Sequence, residues 1–373
     1  MSHRSRISSW SGACLLVLSL VALAFSGCST DTNPISGEGT ALDDAAPMHA
    51  NNPAVKMVMA VQDRHTPALM ADPNVIGTAT TLGDDGKPAI MVLVLDDATA
   101  GKIPREIEGV KVKTFLTDRI YAMGKPPSST VSHTAIQTPP IQLGTSGGWR
   151  YDLANGYCCG GTLGSLIQVG SQKRILSNYH VFEADIVAGG NNLVATTGDY
   201  IIQPGLIDVN CAATSAQNVA TLVKTSSLPN NNVDCSSATI ITGMVDPYGS
   251  ILEIGTISSS TVAAYVGQLV KKSGRTTGLT RSYVNGLNGT VSIAYENECA
   301  GGDAFTKTFT GQIFVYQKRS SFLAGGDSGS LMVEDVATNA RAVGLLFAGS
   351  TSLAIANPIN SVLSFFGATM VGN

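Results

Sequence analysis

From residue 161 onward, short apolar and β-branched runs recur between clusters of Gly, Asn and Ser: Thr162 to Val169, Arg174 to Ser177, Tyr200 to Gln203, Val219 to Val223 and Ala238 to Ile241. Gln268 to Lys272, Gly289 to Ala294, Gly311 to Tyr316, Ser330 to Val333 and Ala342 to Phe347 continue the series. The runs are too short for helices, and their regular turn punctuation predicts an all-β barrel or sandwich, followed by one short helix over Ile359 to Phe366. Upstream the pattern changes. Val55, Met59 and Val61 predict a helix over Pro53 to Met70. Val75 to Leu82 and Ala89 to Leu95 predict strands joined by Gly83-Asp84-Asp85-Gly86-Lys87, and Ile103 to Ile107 precedes another strand at Val110 to Phe115. This is a small α/β module spanning 51–123. The Pro/Ser/Thr-rich stretch at 124–148 reads as a linker and as the favoured place for a cut, ahead of a β domain at 149–373.

The extreme N-terminus predicts an exported chain. Arg4 and Arg6 precede an apolar run from Ala13 to Phe25, too short to span a bilayer, so residues 1–27 read as a signal peptide. Residues 28–50 are small and polar, a flexible tether. Charge narrows the partners: a net charge of -4 with no basic stripe argues against nucleic acid. There is no nucleotide-binding glycine fingerprint and no Cys-x-x-Cys, so neither a cofactor nor a metal is expected. Setting aside Cys14 and Cys28, five cysteines remain (Cys158, Cys159, Cys211, Cys235 and Cys299), and two disulfides with one free thiol is the simple expectation for an oxidising compartment.

The candidate chemistry sits late in the chain, in Ala324-Gly325-Gly326-Asp327-Ser328-Gly329-Ser330. A serine hydroxyl attacks a carbonyl only when a base removes its proton, and His180 is the one histidine after residue 133. Glycines around Ser328 let the backbone turn the amides of Gly326 and Ser328 toward one point, where an oxyanion could be held. Chain order discriminates among serine hydrolases. No histidine follows Ser328 and position 330 is serine, which excludes the α/β-hydrolase order, and nothing around Asp152 supports an aspartate ahead of the histidine. The order histidine, acid, serine remains. Asp234, after the Asn230-Asn231-Asn232 turn and before the β-prone run from Cys235 to Ile241, is the preferred acid, with Asp208 the alternative.

With Leu176 to Val181 around the histidine, Val233-Asp234, and Gly325 to Ser330, the chain resembles the trypsin-like (chymotrypsin-fold) serine peptidases, bacterial type, over about residues 149 to 369. That resemblance implies two six-stranded antiparallel β-barrels with the site between them. Ser273-Gly274-Arg275-Thr276-Thr277-Gly278 resembles the segment of bacterial members whose arginine pairs with the aspartate before the nucleophile. It therefore implies that Arg275 supports Asp327, so that the oxyanion loop forms without proteolytic activation. By the same resemblance Val343 to Ser350 lies along substrate, and Phe322, Phe347 and Gly349 contribute to the pocket for the P1 side chain. No acid stands there, so P1 is expected to be small or apolar. Phe25-Ser26-Gly27-Cys28 resembles a bacterial lipobox. This implies lipidation at Cys28 and an anchor in the cell envelope, with the outer membrane favoured, or else a secreted protein after ordinary signal cleavage.

Two functions fit this reading. One is an exported serine endopeptidase acting on protein or peptide through His180, Asp234 and Ser328. The other is a catalytically silent protease-fold lipoprotein that binds at the cell surface. The intact trio favours the enzyme.

Overall fold

The computed structural model describes residues 48–122, 131–154, 157–183, 195–295 and 305–373. Residues 1–27, read above as a signal peptide, Cys28, most of the stretch at 28–50 read as a tether, and Cys299 lie outside the described residues.

The first helix among the described residues is α1 (Pro53–Leu69), whose first turn is organised by Asn52: its side chain accepts from the Ala54 N–H, and Pro53 occupies a position where no amide donor is needed. Strands β1 (Val75–Leu82) and β2 (Pro88–Val94), the short helix α2 (Asp97–Ala100), β3 (Glu106–Ile107) and β4 (Val110–Leu116) follow. Val58 and Val61 of α1 pack on Ile90, Val92 and Val94 of β2, while the other face of the sheet turns toward Phe309 and Phe347. With both faces covered, β1 is buried over nearly its whole length.

The larger part of the chain is antiparallel β. It runs β5 (Thr145–Trp149), β6 (Leu153–Ala154), β7 (Tyr157–Cys158), β8 (Gly161–Leu163), β9 (Ser165–Val169), β10 (Gln172–Ser177), helix α3 (Tyr179–Phe182), β11 (Tyr200–Gln203), β12 (Gln217–Val223) and β13 (Ser236–Ile240). Then come β14 (Leu269–Gly274), β15 (Gly278–Tyr295), β16 (Phe305–Tyr316), β17 (Leu331–Glu334), β18 (Ala342–Gly349), β19 (Leu353–Pro358), helix α4 (Ile359–Phe366) and β20 (Ala368–Met370). The first sheet has eight strands in the order β20-β9-β10-β13-β12-β11-β5-β8. It curls around Leu166, Ile175, Phe182, Ile201 and Leu222. In the second sheet β14-β17-β18-β19-β16-β15 closes on itself through the β14–β15 pairing. The architecture is the chymotrypsin-like pair of β-barrels that the resemblance implied.

Two features differ from the sequence reading. The helix and strands at 51–123 are not insulated from the β domain: β1 pairs with the outer half of β15 (Gly77↔Val291, Thr78↔Thr290), so β1-β2-β4-β3 extends the second sheet. The long β15–β16 hairpin makes this possible, because its far half projects beyond the barrel and offers an edge. Residues 131–148, read as the end of a linker, are also packed. Ile141 and Leu143 are fully buried in the first core, His133 Nδ1 is 2.8 Å from the Gly144 carbonyl oxygen, and Thr145–Trp149 forms the strand β5. Two successive glycines hid that strand from a propensity argument. Gly147 is there because a Cβ would lie 2.4 Å from Leu163 Cδ2.

Cys158 and Cys211 form a disulfide, Cys159 is also disulfide-bonded, and Cys235 is a buried free thiol. Burial first, then the nearby Asp234 and Glu183 carboxylates, push the Cys235 thiol well above its usual range. Iodoacetamide at neutral pH is therefore expected to leave Cys235 unmodified until the protein is denatured. Intact mass before and after denaturation checks this, and rapid alkylation of the folded protein would contradict the buried, protonated state.

Candidate active site

His180 is the second residue of α3, and Asp234 stands two residues before β13. The two elements are held together from several directions. Asn178 Nδ2 donates to the Asp234 carbonyl at 2.7 Å, and the Tyr179 N–H donates to Asp234 Oδ1 at 2.7 Å. Glu183, fully buried at the end of α3, accepts from Ser236 Oγ at 2.7 Å and from the N–H groups of Thr225 and Ser226. On the other side Asn357 of β19 accepts from the Asp234 N–H at 3.1 Å. Each of these polar groups would be costly to bury alone, and each has a partner.

In this frame His180 Nδ1 lies 2.6 Å from Asp234 Oδ2. A carboxylate accepts, so the shared proton sits on Nδ1, and a neutral His180 would carry its lone pair on Nε2. Asp208, the alternative acid, is elsewhere: it accepts from Arg275 Nε at 2.7 Å and Nη2 at 2.5 Å, and its Oδ2 also accepts from Ser146 Oγ at 2.5 Å. Among the two acids only Asp234 meets His180.

Tyr295, at the end of β15, was not foreseen from the sequence. Its hydroxyl donates to Asp234 Oδ2 at 2.9 Å, and its ring packs edge-on to His180 with centroids 6.0 Å apart. Burial and the Asp234 carboxylate push the phenol well above its usual range, so it stays a donor. No local pattern marks it, since Tyr295 ends a strand that reaches the site from the opposite barrel.

Ser328 is buried in the loop before β17, and its Oγ donates to the Phe347 carbonyl at 3.4 Å. Phe347 shares an aromatic cluster with Phe309 and Tyr295, so the serine and the His180–Asp234 pair border the same cluster. Gly326 and Gly329 both have positive φ, +87° and +92°. A side chain at Gly326 would meet Thr276 Oγ1 at 2.6 Å, and one at Gly329 would meet Ser177 Oγ at 2.2 Å. Only glycine fits either place. In this loop the N–H groups of Asp327, Gly329 and Ser330 are spent on the Ala324, Leu346 and Asp327 carbonyls. Those of Gly326 and Ser328 have no acceptor among the described residues.

The support of Asp327 corrects the sequence expectation. Arg275 does not pair with it. Asp327, fully buried, faces Lys272 Nζ at 3.2 Å and accepts from the N–H groups of Thr276 (2.8 Å), Thr277 (3.1 Å) and Ala324 (3.0 Å), and from Thr277 Oγ1 (2.7 Å). Arg275 extends past the loop to Asp208, with its Nη1 close to where a Gly326 side chain would stand. Desolvation draws the Lys272 ammonium below its usual pKa while Asp327 opposes that shift. A periodicity signal for Lys272 existed: it lies two residues after Val270 in a strand, so both face the same side of the sheet and both are fully buried.

The three pocket candidates divide. Phe322 and Phe347 are fully buried, and the Phe322 carbonyl accepts from Thr280 Oγ1 at 2.8 Å. Gly349 lies on the edge of β18, and a side chain there would meet the Leu353 carbonyl oxygen, Leu323 Cδ2 and Gln317 Nε2.

Residues 210–357 match the family model of the Nal1 C-terminal domain. A solved glutamic acid specific serine protease, described as using a histidine triad in substrate binding, is 18% identical with a TM-score of 0.41, covering 62% of this chain and 100% of that one. Thermobifida fusca Protease A is 21% identical with a TM-score of 0.40, covering 62% of this chain and 99% of its own. Glutamyl endopeptidase 2 of Streptomyces griseus is 31% identical over 169 residues, 44% of this chain and 80% of that protein. With that similarity spanning most of the Streptomyces protein, the chain belongs to the chymotrypsin-fold serine protease family.

Proposed function

We propose that the protein is an exported serine endopeptidase in which His180, Asp234 and Ser328 form the catalytic triad. The 2.6 Å contact between His180 Nδ1 and Asp234 Oδ2, in a chain of this family, carries the reading. Ser328 Oγ attacks the peptide carbonyl as His180 Nε2 takes its proton, and Asp234 stabilises the imidazolium. The tetrahedral oxyanion is received by the N–H groups of Gly326 and Ser328, whose donor capacity the loop leaves unspent. Collapse expels the amine, protonated by His180, and leaves an ester on Ser328. Water activated by His180 then releases the acid and restores the serine. Arg275 and Lys272 keep the loop in shape through Asp208 and Asp327.

The Streptomyces griseus relative is named for cleavage at glutamate. The groups nearest a side chain at Gly349 belong to Leu353, Leu323 and Gln317, none of them charged, which favours an apolar or small P1 residue here. Export rests on the signal-like residues 1–27 and on the disulfides. Lipidation at Cys28 is the corresponding anchor proposal, and among the described residues no helix is long and apolar enough to cross a membrane.

A fluorophosphonate probe and a peptide library containing glutamate, methionine and alanine at P1 test the reading. The expected result is labelling and turnover that Ser328→Ala abolishes, with cleavage after methionine or alanine. Turnover retained by Ser328→Ala would remove the serine mechanism, and a preference for glutamate would remove the apolar pocket.

A further inference from the structure

His180 and Asp234 are carried by connections of the first sheet, whereas Ser328 belongs to a loop between two strands of the second. Their alignment depends on what holds the two together. Asn357 of β19 fixes the backbone of Asp234: its Oδ1 accepts from the Asp234 N–H at 3.1 Å, and its Nδ2 donates to the Asp234 carbonyl at 3.2 Å. Among the described residues, one group from the second sheet reaches the carboxylate itself, the Tyr295 hydroxyl, 2.9 Å from Oδ2. The other donors to that carboxylate, the Tyr179 N–H and His180 Nδ1, both lie on α3.

The ring of Tyr295 continues the connection. It meets His180 edge-on with centroids 6.0 Å apart and lies 6.5 Å from the Phe309 ring, which in turn lies 5.0 Å from the Phe347 ring. The Phe347 carbonyl accepts from Ser328 Oγ at 3.4 Å. A path of packed rings thus runs from the acid to the nucleophile, and close-packed rings change their separation only by displacing neighbours. Core filling alone does not explain a tyrosine here. Its cluster is otherwise built with Phe309, Phe314 and Phe347, and a phenylalanine would fill the space without an O–H to desolvate. The buried hydroxyl is matched instead to the very oxygen that accepts from His180. With two donors on Oδ2 and the Tyr179 N–H on Oδ1, the carboxylate cannot turn from the imidazole without breaking all three bonds.

We propose that Tyr295 is a positioning residue of the protease site: its hydroxyl locks the Asp234 carboxylate toward His180, and its ring sets the spacing between His180 and Ser328. The proposal rests on the peptidase reading of Ser328. Tyr295 touches no substrate and transfers no proton. Its effect on His180 has a definite sign. A hydrogen bond donated to Oδ2 draws charge from the carboxylate and weakens its hold on an imidazolium, so removing the hydroxyl strengthens that hold. The other ionisable groups near Asp234 are the buried Cys235 thiol and Glu183, which is bound by Ser236, Thr225 and Ser226. Neither is altered by a substitution at 295.

The test compares full-length wild type with Tyr295→Phe, which keeps the ring and removes the hydroxyl, and with Tyr295→Leu, which removes both. On the peptide that wild type cleaves best, Tyr295→Phe is expected to lower kcat about tenfold with KM unchanged, and to move the acid limb of the kcat/KM profile to higher pH. Tyr295→Leu should lose about tenfold more, because the spacing goes with the ring. Tyr295→Phe decides the matter if Tyr295→Leu does not fold. The rate of Ser328 labelling by a fluorophosphonate completes a double-mutant cycle: Tyr295→Phe should slow labelling of wild type, yet change it by less than about twofold in an Asp234→Asn background. A kcat within about twofold of wild type with an unmoved acid limb overturns the positioning role, as does equal slowing in both backgrounds, which would place the effect on the fold. If Ser328 is labelled in none of the proteins and no peptide is cut, the peptidase reading fails. NMR of isotope-labelled histidine in Ser328→Ala then judges the contact alone: a higher titration midpoint for His180 on adding Tyr295→Phe supports the lock, and an unchanged midpoint overturns it.

Discussion

Asp234→Asn is expected to lower kcat for the best peptide by about 10⁴-fold while leaving KM little changed. The buried carboxylate accepts from three donors: the Tyr179 N–H at Oδ1, and His180 Nδ1 and the Tyr295 hydroxyl at Oδ2. An amide supplies only one acceptor. If its NH₂ replaces Oδ1, it opposes the Tyr179 N–H, donor against donor. If it replaces Oδ2, the Tyr295 hydroxyl can rotate to accept, and His180 must accept at Nδ1 and carry its proton on Nε2. In that tautomer the imidazole cannot take the proton of Ser328. The second orientation leaves fewer unpaired donors, so the variant should fold and bind peptide yet fail in the chemical step. Steady-state kinetics on the peptide that wild type cleaves best would measure it. An Asp234→Asn enzyme within about tenfold of its parent would remove Asp234 from the triad.

Lys272→Met should cost about 3–5 kcal/mol of stability, because it strips the ammonium from a fully buried carboxylate. Asp327 keeps its hydrogen bonds to Thr276, Thr277 and Ala324, yet it loses the charge that offsets its desolvation. The damage should be concentrated in the loop that carries Ser328, whose shape Asp327 sets through the Ala324 N–H. Urea unfolding gives the stability. The specific expectation is in the coupling: Lys272→Met/Asp327→Asn should recover most of the loss, whereas Arg275→Met should couple to Asp208 and only weakly to Asp327. Coupling of Asp327 to Arg275 in place of Lys272 would restore the pairing that the sequence resemblance implied.

Much of the architecture was legible because it rests on local chemistry. Tyr200–Gln203, Val75–Leu82 and Ile359–Phe366 have in the structure the limits that apolar runs and turn residues predicted. The extents of β15 and β16 did not follow: Gly278 to Asn288 was missed in β15, where β14 and β16 lie alongside, and Phe305 to Thr310 was missed in β16, where the outer half of β15 lies alongside. β19 was also missed, although Leu353–Pro358 supplies Asn357 to Asp234 and lies between β16 and β18.

The site divides in the same way. The order of His180, an acid and Ser328, and the glycines that the turn at Ser328 requires, are properties of the amino-acid sequence, since they depend on residue type and chain direction. Pairing between distant segments is different. Arg275 meets Asp208 and Lys272 meets Asp327, although a cation and an acid in a sequence do not say which carboxylate each will reach. Tyr295 arrives at Asp234 from another strand, and Tyr121 arrives at Gly349 from another part of the chain. Periodicity determines which residues turn inward. The partner each one finds is decided when strands far apart in sequence close the barrel, because only then do burial and hydrogen-bond satisfaction select among the possible pairs.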